Sequence, residues 1–276
     1  MNKLLCTIFF TTLILFSCWW AWGNSSSIKG FIKEKLEAGD FLTLEERYTP
    51  RQIMAANQAE MLQNSKYKFL EPEQYYYPYL IMEVKYSINE QNTGESSMLW
   101  SLKDGEMVTD SSSWEKTHGF EDAITANADR NDFKIINAIS KHNGFIDRTT
   151  LAAELHADGD TLDNWIDGVR RKKLVLRSGN GYRLHLSNPN MNVVPTTNIN
   201  SWLVKRPYKG SQRIAKKYSC SQIEKICQAA FGENFAIRST KEVFLPVYEI
   251  KVQNPDGSLM TSHWNALNGK RIKNQF

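Results

Sequence analysis

"YTPRQI" at residues 48–53 and "YSCSQI" at residues 218–223 share one pattern: Tyr, Ser or Thr, two variable residues, Gln, Ile. In each, the hydroxyl can accept the backbone N–H three residues on. The Gln at that place can reach back to the hydroxyl residue's own N–H, so Thr49 with Gln52 and Ser219 with Gln222 have the makings of capping boxes. Tyr48 against Ile53 and Tyr218 against Ile223 have the spacing of a hydrophobic staple, and Pro50 falls at the first helical position, where no donor is needed. Each hexapeptide therefore predicts the start of a helix.

A second correspondence follows each helix. "EVKY" at 83–86 matches "EIKV" at 249–252, and "WSLKDGEMV" at 100–108 matches "WNALNGKRI" at 264–272. Asp104-Gly105 and Asn268-Gly269 are turn formers, and the alternation before them suits paired strands. The expected fold class is α+β: two helix-plus-β-hairpin repeat units, residues 48–129 and 218–276, flanking an inserted middle. The second unit, "LPVYEIKVQNPDGSLMTSHWNALNGKRI", resembles the PepSY domain of exported bacterial proteins, with Asn265-Ala266-Leu267-Asn268-Gly269 where that family has an Asp-Ala-x-Thr-Gly-like turn. That resemblance implies a binding or inhibitory module of the envelope and carries over no catalytic residue.

Residues 130–187 read differently. Phe133, Ile136 and Ile139 recur at helical spacing, with Gly144 ending the helix. Asp147 is placed to cap "RTTLAAELHA", and Asp160 to cap "TLDNWIDGVRRKK", whose Leu162, Trp165, Ile166 and Val169 form an inward stripe. "LVLRSGNGYRLHL" follows as two strands around Ser178-Gly179-Asn180-Gly181. This order resembles the winged helix-turn-helix family, in which the third helix is the recognition helix. Here its outer face offers Thr161, Asp163, Asn164 and Asp167, and the carboxylates repel a phosphate-lined groove. Arg170, Arg171, Lys172 and Lys173 come at the helix end, where they suit the helix dipole; alternatively, with Arg177 and Arg183, they grip phosphates or an acidic partner. The balance disfavours nucleic acid and favours a protein partner.

The N-terminus supplies the location. Lys3 precedes the apolar "LLCTIFFTTLILF", and Leu15-Phe16-Ser17-Cys18 resembles the lipobox of bacterial lipoproteins, which implies a covalent lipid such as palmitate on Cys18. Phe16 departs from the small or aliphatic residue usual there. Uncharged residues 4–22 span about 28 Å as a helix, so a signal peptide or an uncleaved hydrophobic anchor, with Trp19, Trp20 and Trp22 at the interface, is the alternative. Residues 23–47 read as a tether and lead-in, and residues 188–217 as a linker, Asn- and Pro-rich at first and basic afterwards.

Charge is unevenly placed: residues 1–129 carry 11 Lys and Arg against 18 Asp and Glu, and residues 188–276 carry 13 against 5. The two ends can attract each other within a chain or between copies, as in a homo-oligomer. Tyr75, Tyr76, Tyr77 and Tyr79 in "YYYPYL" are either a partner contact or half-buried strand tyrosines with paired hydroxyls. Cys220 and Cys227, about 10 Å apart along a helix, read as unpaired. No nucleophile elbow, phosphate loop, dinucleotide fingerprint or zinc spacing occurs, so neither enzyme chemistry nor a metal or other cofactor is expected. The sequence thus suggests an exported, membrane-tethered lipoprotein that acts as a protein-interaction scaffold, its body facing the periplasm or exterior of the cell envelope. The alternative is a membrane-anchored DNA-binding regulator with residues 130–187 in the cytoplasm.

Overall fold

A computed structural model describes residues 39–62, 64–88, 92–186 and 189–272. The segment 1–22 with Cys18, and the tether as far as residue 38, lie outside the described residues. Among the described residues no helix is long and apolar enough to cross a membrane.

The fold is α+β. The chain runs β1 (Asp40–Leu44), α1 (Pro50–Ala56), α2 (Gln58–Met61), β2 (Lys68–Phe69), β3 (Glu73–Ser87), β4 (Thr93–Ser101), β5 (Met107–Asp110), β6 (Glu115–Lys116) and α3 (Phe120–Thr125). It continues through α4 (Arg130–Lys141), β7 (Phe145–Asp147), α5 (Arg148–Leu155), α6 (Gly159–Arg171), β8 (Val175–Ser178), β9 (Gly181–Leu184), β10 (Leu203–Pro207) and β11 (Gln212–Arg213). It closes with α7 (Cys220–Phe231), β12 (Ala236–Gln253), β13 (Leu259–Asn265) and β14 (Arg271–Ile272). The described residues divide into two compact units: a large one within 42–204 and 212–272, and a small one in which Lys205–Ser211 joins residues 39–41. In the small unit Tyr208 donates its N–H to Gly39 (3.1 Å), and its ring lies 5.5 Å from that of Phe41.

The large unit is built on a curled mixed sheet with the order β1-β12-β3-β4-β5-β6, and β13 and β2 pair with the second half of β12. Its centre is the antiparallel pair β3–β12, in which Tyr77 faces Leu245. On either side of that point the same pairings recur. Leu80 faces Trp100 across β3–β4, and Tyr248 faces Trp264 across β12–β13. Arg213 pairs in parallel with Tyr76, and Thr43 pairs in parallel with Phe244. Pro78 and Pro246 both lie inside these long strands, where a missing donor usually breaks a ladder. Each carbonyl accepts an N–H at the end of a hairpin, Leu102 to Pro78 (3.0 Å) and Ala266 to Pro246 (3.1 Å). A residue's N–H and C=O point to the same edge, so the absent donor falls on that edge and leaves the β3–β12 ladder intact.

Both capping boxes are present, at Thr49–Gln52 and Ser219–Gln222. The helices they open pack on strands distant in sequence. Arg47 and Tyr48 donate their N–H groups to Ala266 (3.0 and 2.9 Å), and Lys217 and Tyr218 donate theirs to Leu102 (2.9 and 3.0 Å). Accordingly Ile53 of α1 shares a core with Tyr248, Ile250, Val252 and Trp264, while Ile223, Ile226 and Cys227 of α7 share one with Leu80, Met82, Val84 and Trp100. Residues 48–129 and 218–276 are therefore not separate compact bodies: each supplies the helix that covers the other's strands.

Residues 130–187 form three helices and the three-stranded sheet β7-β9-β8. Their boundary is not a seam. Trp100 meets Phe120 edge-on at 4.9 Å, and Phe120 lies 6.0 Å from Phe133 of α4 and 6.3 Å from Phe231 of α7. One continuous core thus joins the sheet to Ile135, Ile139, Leu162 and Val169. Burying side chains of this size contributes about 1.5–3 kcal/mol each.

Four expectations are corrected. Asp158, not Asp160, caps α6, accepting the Thr161 N–H at 2.9 Å. The lead-in to residue 47 contains β1, in which Leu44 is fully buried. The stretch 188–217 contains β10 and β11, and buried Thr197 takes the Leu99 N–H on its hydroxyl (2.8 Å) while donating its own N–H to Ser97 (2.8 Å). Finally, the cross-strand tryptophans align Leu80 with Tyr248 and hence Glu83 with Lys251, two residues away from the "EVKY"/"EIKV" match.

Candidate functional site

The helix α6 and the β8–β9 hairpin carry most of the proposed contact residues, and local sequence sets their geometry. Leu162, Ile166 and Val169 are buried, which turns Asp160, Asp163, Asn164 and Asp167 outward. Arg148 at the start of α5 grips Asp163 with Nη2 at 2.9 Å from both carboxylate oxygens, and Nε adds a bond of 3.1 Å. This two-pronged geometry fixes the carboxylate at the helix surface.

The basic run does not form one patch. Lys172 turns inward, bonding Asp129 at 2.7 Å and Asp132, whose side chain is only 4% exposed. Burial opposes charge on Lys172 and Asp129, but their hydrogen bonds outweigh it, so the Lys172 pKa is raised and the Asp129 pKa is lowered. The two aspartates are the capping box of α4, so Lys172 staples the end of α6 to the start of α4. Arg170 pairs with Asp167 (3.5 Å), and Arg171 donates Nε to the Asp167 carbonyl (3.2 Å). Lys173 takes a left-handed conformation (φ 59°) that ends α6. Arg170, Arg171 and Lys173 are exposed, as are Arg177 and Arg183 of the hairpin, whereas Lys172 is removed from the candidate contact set.

The tyrosine cluster is corrected too. Tyr76, Tyr77 and Tyr79 are buried at 5%, 7% and 3% exposure, and Tyr77 and Tyr79 pack in one core cluster with Leu44, Leu99, Val243 and Leu245. Burial pushes the Tyr77 hydroxyl well above its ordinary range and raises that of Tyr79. Tyr75 is half-buried and donates its hydroxyl to Glu73 (3.0 Å). The cluster is core and sheet surface, with no free contact face at Tyr76, Tyr77 or Tyr79.

Sequence reasoning missed a row of charges on the sheet. Lys251 bonds Glu73 (2.6 Å) and Glu249 (2.8 Å), and Glu249 bonds His263 Nε2 (3.1 Å). The hydrogen bonds to Glu249 and Glu73 raise the Lys251 pKa, and those from Lys251 and Tyr75 lower that of Glu73. Glu73 and Lys251 lie 178 residues apart, so only strand pairing brings them together. Cys220 and Cys227 are free thiols; burial and then Glu242 push the Cys220 pKa up to about 11, which leaves it a poor nucleophile at neutral pH. No group of three or more His, Cys, Asp or Glu among the described residues could hold a metal ion. Compared with protein-family profiles, curated proteins and solved structures, the chain matches none of them.

Proposed function

We propose that this chain is a membrane-tethered interaction protein of the bacterial envelope, without a catalytic role. In this reading a duplicated helix-plus-hairpin unit, its helices exchanged between copies, holds a winged helix that meets protein rather than DNA. The duplication is supported by the matched pairings about Tyr77 and Leu245, and by the capping boxes that both dock on a hairpin end. The winged helix is supported by the order α4, β7, α5, α6, β8, β9 and the sheet β7-β9-β8. The tether, with lipid on Cys18, rests on the N-terminal sequence alone.

The observation that carries the choice of partner is the outer face of α6. Asp160, Asp163 and Asp167 face solvent there, and Lys172 is committed to Asp129 and Asp132. A helix laid in the major groove would bring Asp160 towards phosphates with no cation paired to it among the described residues, and would leave Asp163 and Asp167 bare wherever Arg148 and Arg170 turned from them to the DNA backbone. A basic protein surface would meet the same face favourably.

The test is a titration of the purified full chain with duplex DNA at low salt, at about 50 mM. The expected result is binding no tighter than the non-specific range of about 10⁻⁴ to 10⁻⁶ M. Nanomolar binding, with a salt slope that falls when Arg170, Arg171 and Lys173 are changed to Ala, would contradict the reading and restore the DNA-binding regulator.

A further inference from the structure

An open cleft of about 570 Å³ lies where the end of the β13–β14 hairpin meets the β5–β6 turn, with Arg47, Tyr48, Ser111, Asn268 and Lys270 among its lining. We propose that it is a binding site for a small organic phosphate monoester. The assignment is independent of the location and partner proposed above.

The charges point to an anion. Arg47 and Lys270 are both exposed, and among the described residues neither has a carboxylate within ion-pair distance. Arg47 spends Nη2 on the Asn200 carbonyl and on Asn200 Oδ1 (3.3 Å), and Nη1 and Nε make no hydrogen bond among the described residues. Asp110, the acid nearest in sequence to the serines, is turned to the N–H groups of Ser112 (2.7 Å) and Ser113 (2.8 Å) and to the Asn198 amide (2.8 Å). The Ser111 hydroxyl accepts the Asn200 N–H at 2.8 Å and keeps its own hydrogen to donate. Asn268 spans the walls, accepting the Lys270 N–H (3.0 Å) and donating to the Ser112 carbonyl (3.3 Å). A guanidinium, an ammonium and a hydroxyl supply the donors that a dianionic phosphate takes. The Tyr48 ring, 43% exposed and resting on Gly269, and the Leu267 side chain provide an apolar wall for the ester group.

The other hairpin end supplies the contrast. The bonds Asn265 N–H to Lys270 (2.9 Å) and Gly269 N–H to Asn265 (2.9 Å) have counterparts in Ser101 N–H to Glu106 (3.0 Å) and Gly105 N–H to Ser101 (3.2 Å). Together with the docking of Tyr48 on Ala266 and of Tyr218 on Leu102, they match Arg47 to Lys217, Asn268 to Asp104 and Lys270 to Glu106. At that end the chain fills the place itself. Lys217 pairs with Glu121 (2.6 Å), Asp104 with Lys116, and Glu106 takes the N–H groups of Gly119 (2.9 Å) and Glu121 (3.0 Å). Where one end supplies its own carboxylates, the other has Asn and Lys and stands open to an anion from outside.

The experiment is isothermal titration of the full chain, in detergent, with phenyl phosphate and with inorganic phosphate. The expected result is one site per chain that takes phenyl phosphate more tightly than inorganic phosphate. Arg47→Ala and Lys270→Glu, which installs the acid found at the matching place, each weaken binding at least tenfold, while Lys241→Ala, at an exposed position of β12 outside the cleft, leaves it unchanged. Both variants lie at exposed positions, and an unchanged unfolding midpoint shows that the fold is intact. No saturable binding of either probe to the wild type, or equal binding by Arg47→Ala and Lys270→Glu, would overturn the site. Inorganic phosphate binding as tightly as phenyl phosphate would overturn the ester.

Discussion

Replacing Lys172 with Met keeps an unbranched side chain one atom shorter and removes its charge, so it separates a structural lysine from a surface one. Breaking a buried ion pair by removing one partner costs about 3–5 kcal/mol, because the remaining charge is stranded. Two features lower the figure here. Lys172 is 26% exposed, so water reaches the site, and Asp132 keeps its bond from the Asp129 N–H at 2.8 Å. The expected loss is about 2 kcal/mol, or about 4–8 °C in Tm for a unit of this size. The assay is thermal unfolding of the full chain at neutral pH, followed by circular dichroism. Adding Asp132→Asn, which retains an acceptor for the Asp129 N–H but no charge, should recover part of the loss. A Tm for Lys172→Met within about 1 °C of wild type would refute the inward staple. Lys172 would then rejoin Arg170, Arg171 and Lys173 as a surface cation.

Three further outcomes follow from local geometry. Gly181→Ala should unfold or strongly destabilise residues 130–187, since the new Cβ would lie 2.3 Å from the Ile146 carbonyl oxygen and 2.9 Å from Asp147 Cα; loss of their amide protection in hydrogen exchange is the readout. Thr49→Ala and Ser219→Ala should each cost about 1 kcal/mol in urea unfolding, as each removes one half of a capping box. Burial outweighs the hydrogen bonds from Glu121, Thr117 and Gly119 and raises the Glu106 pKa, so the folded state holds a proton that an unfolded glutamate has released. Stability from this group therefore falls as pH rises from the ordinary glutamate range through the raised value, and Glu106→Gln should flatten that limb of a Tm-against-pH profile.

Much of the fold was legible because its signals are local. The boxes at Thr49–Gln52 and Ser219–Gln222 depend on residues three apart, and both form. The stripes of α4 and α6, and the cap at Asp147, likewise depend on spacing within one helix. What escaped depends on long-range pairing. A strand's faces repeat every two residues, so a slip of two keeps every side chain on its own face, and the letter match of "EVKY" with "EIKV" does not fix the register that the cross-strand partners Trp100 and Trp264 set. The exchange of α1 and α7 between hairpins leaves no local trace in either helix. Asp158 and Asp160 both precede the apolar stripe of α6, so the stripe alone does not fix the cap, and the helix starts at Gly159, two residues before the start expected from Asp160. Residues 188–217 have a loop's composition, yet Thr197 and Asn198 use their polar groups to bind the sheet edge.

The contact residues were legible only in part. A run of four cations reads as a patch, but residues on one helix end point in different directions, and Lys172 found the aspartates of another helix. The tyrosines give a surface signal by composition, while three of them are buried, Tyr77 and Tyr79 by packing with residues as distant in sequence as Leu44 and Val243. Arg47 and Lys270 are unremarkable in sequence, and the fold alone brings them to one cleft.

The most direct test of the central claim is the topology of residues 130–187 in cells. A phosphatase that is active only outside the cytoplasm is fused after Leu186, with a cytoplasmic reporter fused at the same point in a second strain. The account predicts phosphatase activity and a silent cytoplasmic reporter, which places the acidic face of α6 where chromosomal DNA is absent. A stable but inactive phosphatase fusion with an active cytoplasmic reporter would contradict it.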